Sequence, residues 1–122
     1  MKKIRLLLCF YTLISCTSDD TNIPAIAACE TENPIEDLPW LKTLVNELKE
    51  DQSEVAEFFF IEIAEYKGET IFISNNCCPI CSTVVPVYNC NGDFLGFLND
   101  EIKTNELRST QTIFNREDFP CQ

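Results

Sequence analysis

The clearest regular pattern in this chain is helical. Leu41, Leu44, Val45 and Leu48 fall at i, i+3, i+4 and i+7, the spacing of one helix face, with mostly polar residues between them. Asp37 is a suitable N-cap and Pro39 suits a first turn, so the spacing predicts an amphipathic helix over 38–50, with Trp40 at its start and at the edge of the core. The period then changes to two. Phe59, Ile61 and Ile63 share one face of segment 58–66, Lys67-Gly68 makes a tight turn, and Thr70-Ile71-Phe72-Ile73-Ser74 returns as the second arm of a hairpin. Phe58, Phe59 and Phe60 cannot all point inward from one strand, so Phe58 or Phe60 is expected to form an exposed apolar spot or to pack under the helix. A second hairpin runs from Thr83 to Tyr88, turns at Asn91-Gly92 and returns through Phe94 to Leu98, with Pro86 at an edge or bulge. Residues 99–109 are expected to form a short helix capped by Asn99 or Asp100, and Gln111 to Phe114 a weak final strand. A helix followed by antiparallel strands is an α+β domain, here one amphipathic helix packed on an antiparallel sheet of about four to five strands.

The first sixteen residues have a different character. Met1-Lys2-Lys3-Ile4-Arg5 is positively charged, Leu6 to Ile14 is apolar, and Leu13-Ile14-Ser15-Cys16 ends in a small residue and a cysteine. This is the pattern of a secretory signal, too short and wrongly flanked for a membrane span. It resembles a bacterial lipobox. The resemblance implies that residues 1–15 are removed, that Cys16 receives a diacylglycerol, and that Cys16 becomes the acylated N-terminus. One acyl chain binds a bilayer only marginally, at about 0.8 kcal/mol per buried methylene, whereas two or three hold stably. The following Thr17-Ser18-Asp19-Asp20 resembles the acidic tract of surface-exported lipoproteins of the Bacteroidota, which implies an outer-membrane, outward-facing address. Residues 16–34, rich in Thr, Ser, Asn, Asp, Pro and Ala, are then a flexible tether, and 35–122 a single domain.

Processing sharpens the charge. Residues 1–15 hold three of the nine basic residues and none of the twenty acidic ones, so the remaining chain carries a formal net charge of −14. Such a chain repels nucleic acid and anionic headgroups, and nucleic-acid binding is excluded as a function. A domain this small has a marginal core, and its cysteines are expected to compensate. Cys9 leaves with the signal and Cys16 carries lipid, leaving Cys29, Cys77, Cys78, Cys81, Cys90 and Cys121. An even number in an exported domain reads as a disulfide framework. Four of them between 77 and 90 suggest a local knot, and Cys29 with Cys121 suggests a staple between the two ends.

The motifs have an order of their own. Asp37-Leu38-Pro39-Trp40-Leu41 opens the helix, Tyr66 to Ile71 follows a Tyr-x-Gly-x-x-hydrophobic pattern, and cysteines precede Tyr88-Asn89-Cys90-Asn91-Gly92. This series, over roughly residues 37–95, resembles a family of small Bacteroidota lipoproteins of uncharacterised function. The resemblance implies an architecture and an address, and transfers no catalytic residue.

Candidate chemistry is sparse. Cys78-Pro79-Ile80-Cys81 has thioredoxin-like spacing, but the segment after it, Ser82 to Val87, is β-branched and broken by Pro86, so no helix N-terminus is expected to activate a thiol. Cys77, Cys78, Cys81, Cys90 and Cys121 could supply a zinc site, against which the oxidising export route favours disulfides. With no histidine in the chain, Ser-His-Asp, Cys-His and His-metal hydrolysis are excluded. Glu62, Glu65, Asp93, Asp100 and Glu101 are candidate carboxylates, but paired-carboxylate chemistry needs a cleft that so small a domain rarely offers. Asn89 to Asp93 contains oxygen ligands without the spacing of a calcium-binding loop. The expectation is a lipid-anchored binding module at the cell envelope, with no catalytic residue, metal or cofactor. Its partners would be the membrane, through the lipid, and an envelope protein or glycan. The alternative is a thiol–disulfide or metal-handling protein using Cys77 to Cys81.

Overall fold

Proline placement decides where the helices begin. The computed structural model describes residues 28–121. The expected signal 1–15, the lipidation site Cys16 and the tether as far as residue 27 lie outside the described residues. A first short helix, α1 (Pro34–Asp37), is followed directly by α2 (Pro39–Glu50). Leu38 between them is extended, at φ −97° and ψ 107°. A residue preceding proline is pushed out of the α region, so the break falls at 38. Asp37 is therefore not the N-cap that the sequence suggests: it ends α1, and Leu38 takes the cap position without a side-chain cap bond.

The apolar stripe of α2 packs as its spacing predicts, with Leu41 and Val45 buried and Leu44 and Leu48 packed against the core. Strands β1 (Phe59–Tyr66) and β2 (Glu69–Asn76) pair in unbroken antiparallel register from Phe59 opposite Asn76 to Tyr66 opposite Glu69. Lys67 and Gly68 both have positive φ, 52° and 82°, the geometry of a two-residue primed turn, whose twist matches that of the strands it joins. β3 (Pro86–Tyr88) and β4 (Phe94–Phe97) form the second hairpin, and β5 (Leu107–Asn115) returns beside β1. The sheet order is β4-β3-β2-β1-β5, with every pairing antiparallel. The protein is a small α+β domain with one main helix on a five-stranded antiparallel sheet, stapled by disulfides.

Both faces of the sheet are covered. On one, Ile61, Ile63 and Phe72 meet Leu41 and Val45 of α2, together with Ala28. On the other, Ala64, Ile71, Ile73 and Val87 meet Ile102, flanked by Leu98 and Leu107. Each fully buried side chain of this size contributes about 1.5–3 kcal/mol. The segment covering the second face is where the predicted helix over 99–109 fails. Asn99 is left-handed (φ 69°), its amide donates to the Ile102 carbonyl at 2.7 Å, a single 3₁₀ turn spans Thr104–Glu106, and β5 begins at Leu107. Pairing with the open edge of β1 gives this segment a tertiary hydrogen-bond ladder that local helix propensity does not outweigh. The final strand is accordingly longer than the four residues its pattern suggested.

The packed structure also starts before the expected boundary at 34/35. Ala28 is buried, and residues 28–31 close a small turn, with the Ala28 amide donating to the Thr31 carbonyl at 2.9 Å and the reverse bond at 3.0 Å. The Phe58–Phe60 run leaves no exposed spot: all three rings are half-buried, and Phe60 meets Phe119 edge-on with centroids 5.2 Å apart. Among the described residues, no helix is long and apolar enough to cross a membrane.

Candidate functional site

The six described cysteines form three disulfides: Cys29–Cys90, Cys77–Cys121 and Cys78–Cys81. Both suggestions about pairing are corrected. Cys29 and Cys121 do not join one another, and the 77–90 group is not a self-contained knot, because Cys77 and Cys90 each reach a distant part of the chain. The reason is the sheet order. Residue 29 lies on the helix-covered face beside the β3–β4 turn, whereas residue 77 follows the end of β2 and meets the C-terminal segment. Only Cys78–Cys81 is local. It closes the start of an irregular segment from 77 to 85 in which Pro79, Ile80, Ser82, Thr83 and Val84 are exposed. The segment directly after Cys81 leads into β3 with no helix between, and sulfurs held in disulfides are not thiolate ligands for zinc.

The candidate carboxylates do not converge. Glu62 accepts a hydrogen bond from Asn75 Nδ2 at 2.9 Å, and Glu65, an odd number of positions along the same strand, projects from the opposite face. Asp93 accepts from Asn89 Nδ2 at 3.1 Å within its own turn, and Asp100 is exposed in the following loop. Glu101 accepts the Phe97 amide at 2.7 Å, and that bond holds its carboxyl below the ordinary glutamate range. The oxygen-rich Asn89–Asp93 segment serves the chain itself. Asn89 Oδ1 accepts from the Asn91 and Asp93 amides, both at 2.9 Å, and Gly92 is left-handed at φ 82°, so Asn91-Gly92 closes a three-residue hairpin loop. No group of three or more metal-ligating side chains assembles among the described residues.

What the structure does assemble is a row of aromatic rings. Trp40 sits over the sheet with its Nε1 donating to the Cys90 carbonyl at 2.9 Å, edge-on to Phe72 at 5.2 Å and tilted against Tyr88 at 5.8 Å. The row continues outward through Tyr88–Phe94 at 6.3 Å and Phe94–Phe97 at 4.9 Å. It ends on β4, an edge strand, where Phe94 is 53 % and Leu95 41 % exposed. Aromatic pairs at such distances contribute about 0.5–1.5 kcal/mol each beyond area burial, so the inner rings fix the outer ones. The edge itself is blunted, because Glu101 takes the Phe97 amide that a pairing strand would need. Among the described residues, Ile80 and Val84 are the other large apolar side chains in the open, at 88 % and 65 %.

Sequence reasoning missed this row. A usable signal was present: Phe94-Leu95-Gly96-Phe97-Leu98 contains no polar position, and a strand without alternation that is not central must leave apolar groups in water. Comparison with protein-family models, curated proteins and solved structures found no match.

Proposed function

We propose that this chain is a lipid-anchored module of the cell envelope that holds a protein partner through the aromatic row ending on β4, and that it works by binding rather than catalysis. The anchor rests on the Leu13-Ile14-Ser15-Cys16 pattern, and an outward-facing outer-membrane address on the acidic residues after it. The observation that carries the binding reading is the exposure of Phe94 and Leu95 at the end of a row whose inner members, Trp40 and Phe72, are held in the core. Rigid aromatic side chains with exposed apolar surface are the usual anchors of protein interfaces. A glycan site would need free polar groups beside the rings, and Asn89 and Asp93 are engaged in the turn's own hydrogen bonds. Contact would run through side chains rather than strand addition, given the blunted edge.

The experiment is photocrosslinking in intact cells, with a benzophenone amino acid at position 94 and, as control, at Lys49, whose Nζ lies over Phe114 of β5, the opposite edge strand. A discrete protein adduct from position 94 alone supports the reading. Equal adducts from both positions, none from either, or an adduct removed by glycosidases would overturn it. The anchor has its own readout: Cys16→Ser should move the chain from the membrane fraction to the soluble one.

A further inference from the structure

The three disulfides differ in what they hold together. Cys29–Cys90 and Cys77–Cys121 span 61 and 44 residues, whereas Cys78–Cys81 spans 3. The constraint a disulfide places on the unfolded chain grows with the loop it closes, so the last one contributes least to stability. It also lies outside the packed core: Cys29 and Cys90 lie against the helix-side core, whereas Cys78 and Cys81, like Cys77 and Cys121, belong to neither core cluster. Its flanks are secured without it. The Cys77 amide donates to the Phe58 carbonyl at 3.1 Å, Cys77 itself is tied to Cys121, and Pro86 starts β3. Within the loop, Asn76 Nδ2 donates to Thr83 Oγ1 at 2.6 Å, and Ile80 between the two cysteines is 88 % exposed.

From this we infer that Cys78–Cys81 is an exchangeable disulfide that accepts electrons from a dithiol, while the other two are structural. A thiolate of the dithiol attacks one sulfur of the pair. The Cys78–Cys81 bond breaks, and the other cysteine leaves as a thiolate that takes up a proton. The second thiolate of the dithiol then attacks the mixed disulfide, and the remaining cysteine is released as a thiol. The pair gains two electrons and two protons, and the dithiol, having lost the same, becomes a disulfide. Among the described residues the segment after Cys81 leads into β3 rather than into a helix whose N-terminus could stabilise a thiolate, so the loop acts as the acceptor, with the partner supplying the nucleophile. This inference is independent of the aromatic row, and either can fail alone.

The test uses the full lipid-anchored chain in detergent micelles, titrated with dithiothreitol, quenched by alkylation and mapped by mass spectrometry. Adducts on Cys78 and Cys81 should appear at about tenfold lower dithiol than on the other four cysteines, with an unchanged far-ultraviolet circular dichroism spectrum. The double variant Cys78→Ser/Cys81→Ser should stay folded, with the reduction midpoints of the other two disulfides unmoved. Opening of Cys77–Cys121 at the same concentration, persistence of Cys78–Cys81 until the chain unfolds, or displaced midpoints in the double variant would overturn the inference.

Discussion

Alanine at position 92 tests whether the turn, the tryptophan and the sheet are locked together as described. Gly92 is left-handed at φ 82°, and a Cβ added there would lie 2.7 Å from Trp40 Cγ and 2.8 Å from Cδ2. Those atoms belong to a rigid ring held by its hydrogen bond to the Cys90 carbonyl and by Phe72 and Tyr88, so the ring cannot simply swing away. Gly68 is the matched control: its φ is also 82°, and nothing lies within 4 Å of its added Cβ. Left-handed backbone costs an L-residue about 1–2 kcal/mol, and this cost is common to both substitutions. The entropic gain in the unfolded chain on replacing glycine is also common and cancels. Gly92→Ala additionally overpacks against the indole, for about 1–3 kcal/mol, and strains a hydrogen bond contributing about 1 kcal/mol. The expected result is a loss of about 1 kcal/mol for Gly68→Ala and about 2–4 kcal/mol for Gly92→Ala, read as urea midpoints at constant slope. Trp40 is the chain's single tryptophan, so its emission should change in native Gly92→Ala and stay put in native Gly68→Ala. Equal losses, or unaltered emission in Gly92→Ala, would refute the packing of Trp40 on the turn.

Two further outcomes follow from hydrogen bonds made by charged side chains. Arg116 Nη1 donates to the Leu48 and Asp51 carbonyls at 3.3 and 2.8 Å, closing the end of α2 from 65 residues away, so Arg116→Met should cost about 1–3 kcal/mol in urea unfolding, whereas Asp118→Asn, which removes an exposed ion pair, should change little. Glu101, held below its ordinary range by the Phe97 amide, binds its proton less readily folded than unfolded; its stabilisation is full above the unfolded pKa and is lost as pH falls through the lowered folded one. Stability profiles taken downward from neutral pH should therefore fall less steeply in Glu101→Gln than in the parent, and parallel acid limbs would refute the role given to this carboxylate.

How much of the fold could be read from the sequence depends on whether the signal was local. The α2 stripe, the Lys67-Gly68 turn and the hairpin over Asn91-Gly92 rest on residues within a few positions of one another, and each stands in the structure. The readings that failed required knowledge of a distant partner. Residues 107–115 have no strong pattern of their own and become a strand because β1 offers an unfilled edge, with register shifts on both sides of Glu62 and a left-handed Ser109 marking the imperfect fit. At Asp37 the reason is smaller: its capping propensity gives way to the restriction that Pro39 places on Leu38, the residue immediately before it.

The candidate sites divide in the same way. Composition identified the cysteines as a framework, but pairing among six of them is settled by which strand ends come together, and that is a property of the order β4-β3-β2-β1-β5. That order carries the N-terminal Cys29 to the β3–β4 turn under Trp40, and the C-terminal Cys121 to the end of β2. Each end of the described segment is thus stapled to the sheet separately. Cys78 and Cys81 are left to close nothing except their own loop, which is why the C-x-x-C spacing, unremarkable beside a β-branched sequence, becomes chemically distinct once its neighbours are accounted for. The aromatic row stands apart from that loop in its supports, since Trp40 and Phe72 hold it from the helix-covered core. Loss of the loop's disulfide should therefore leave the row in place, so that the proposed binding and the inferred thiol exchange should be separable by substitution.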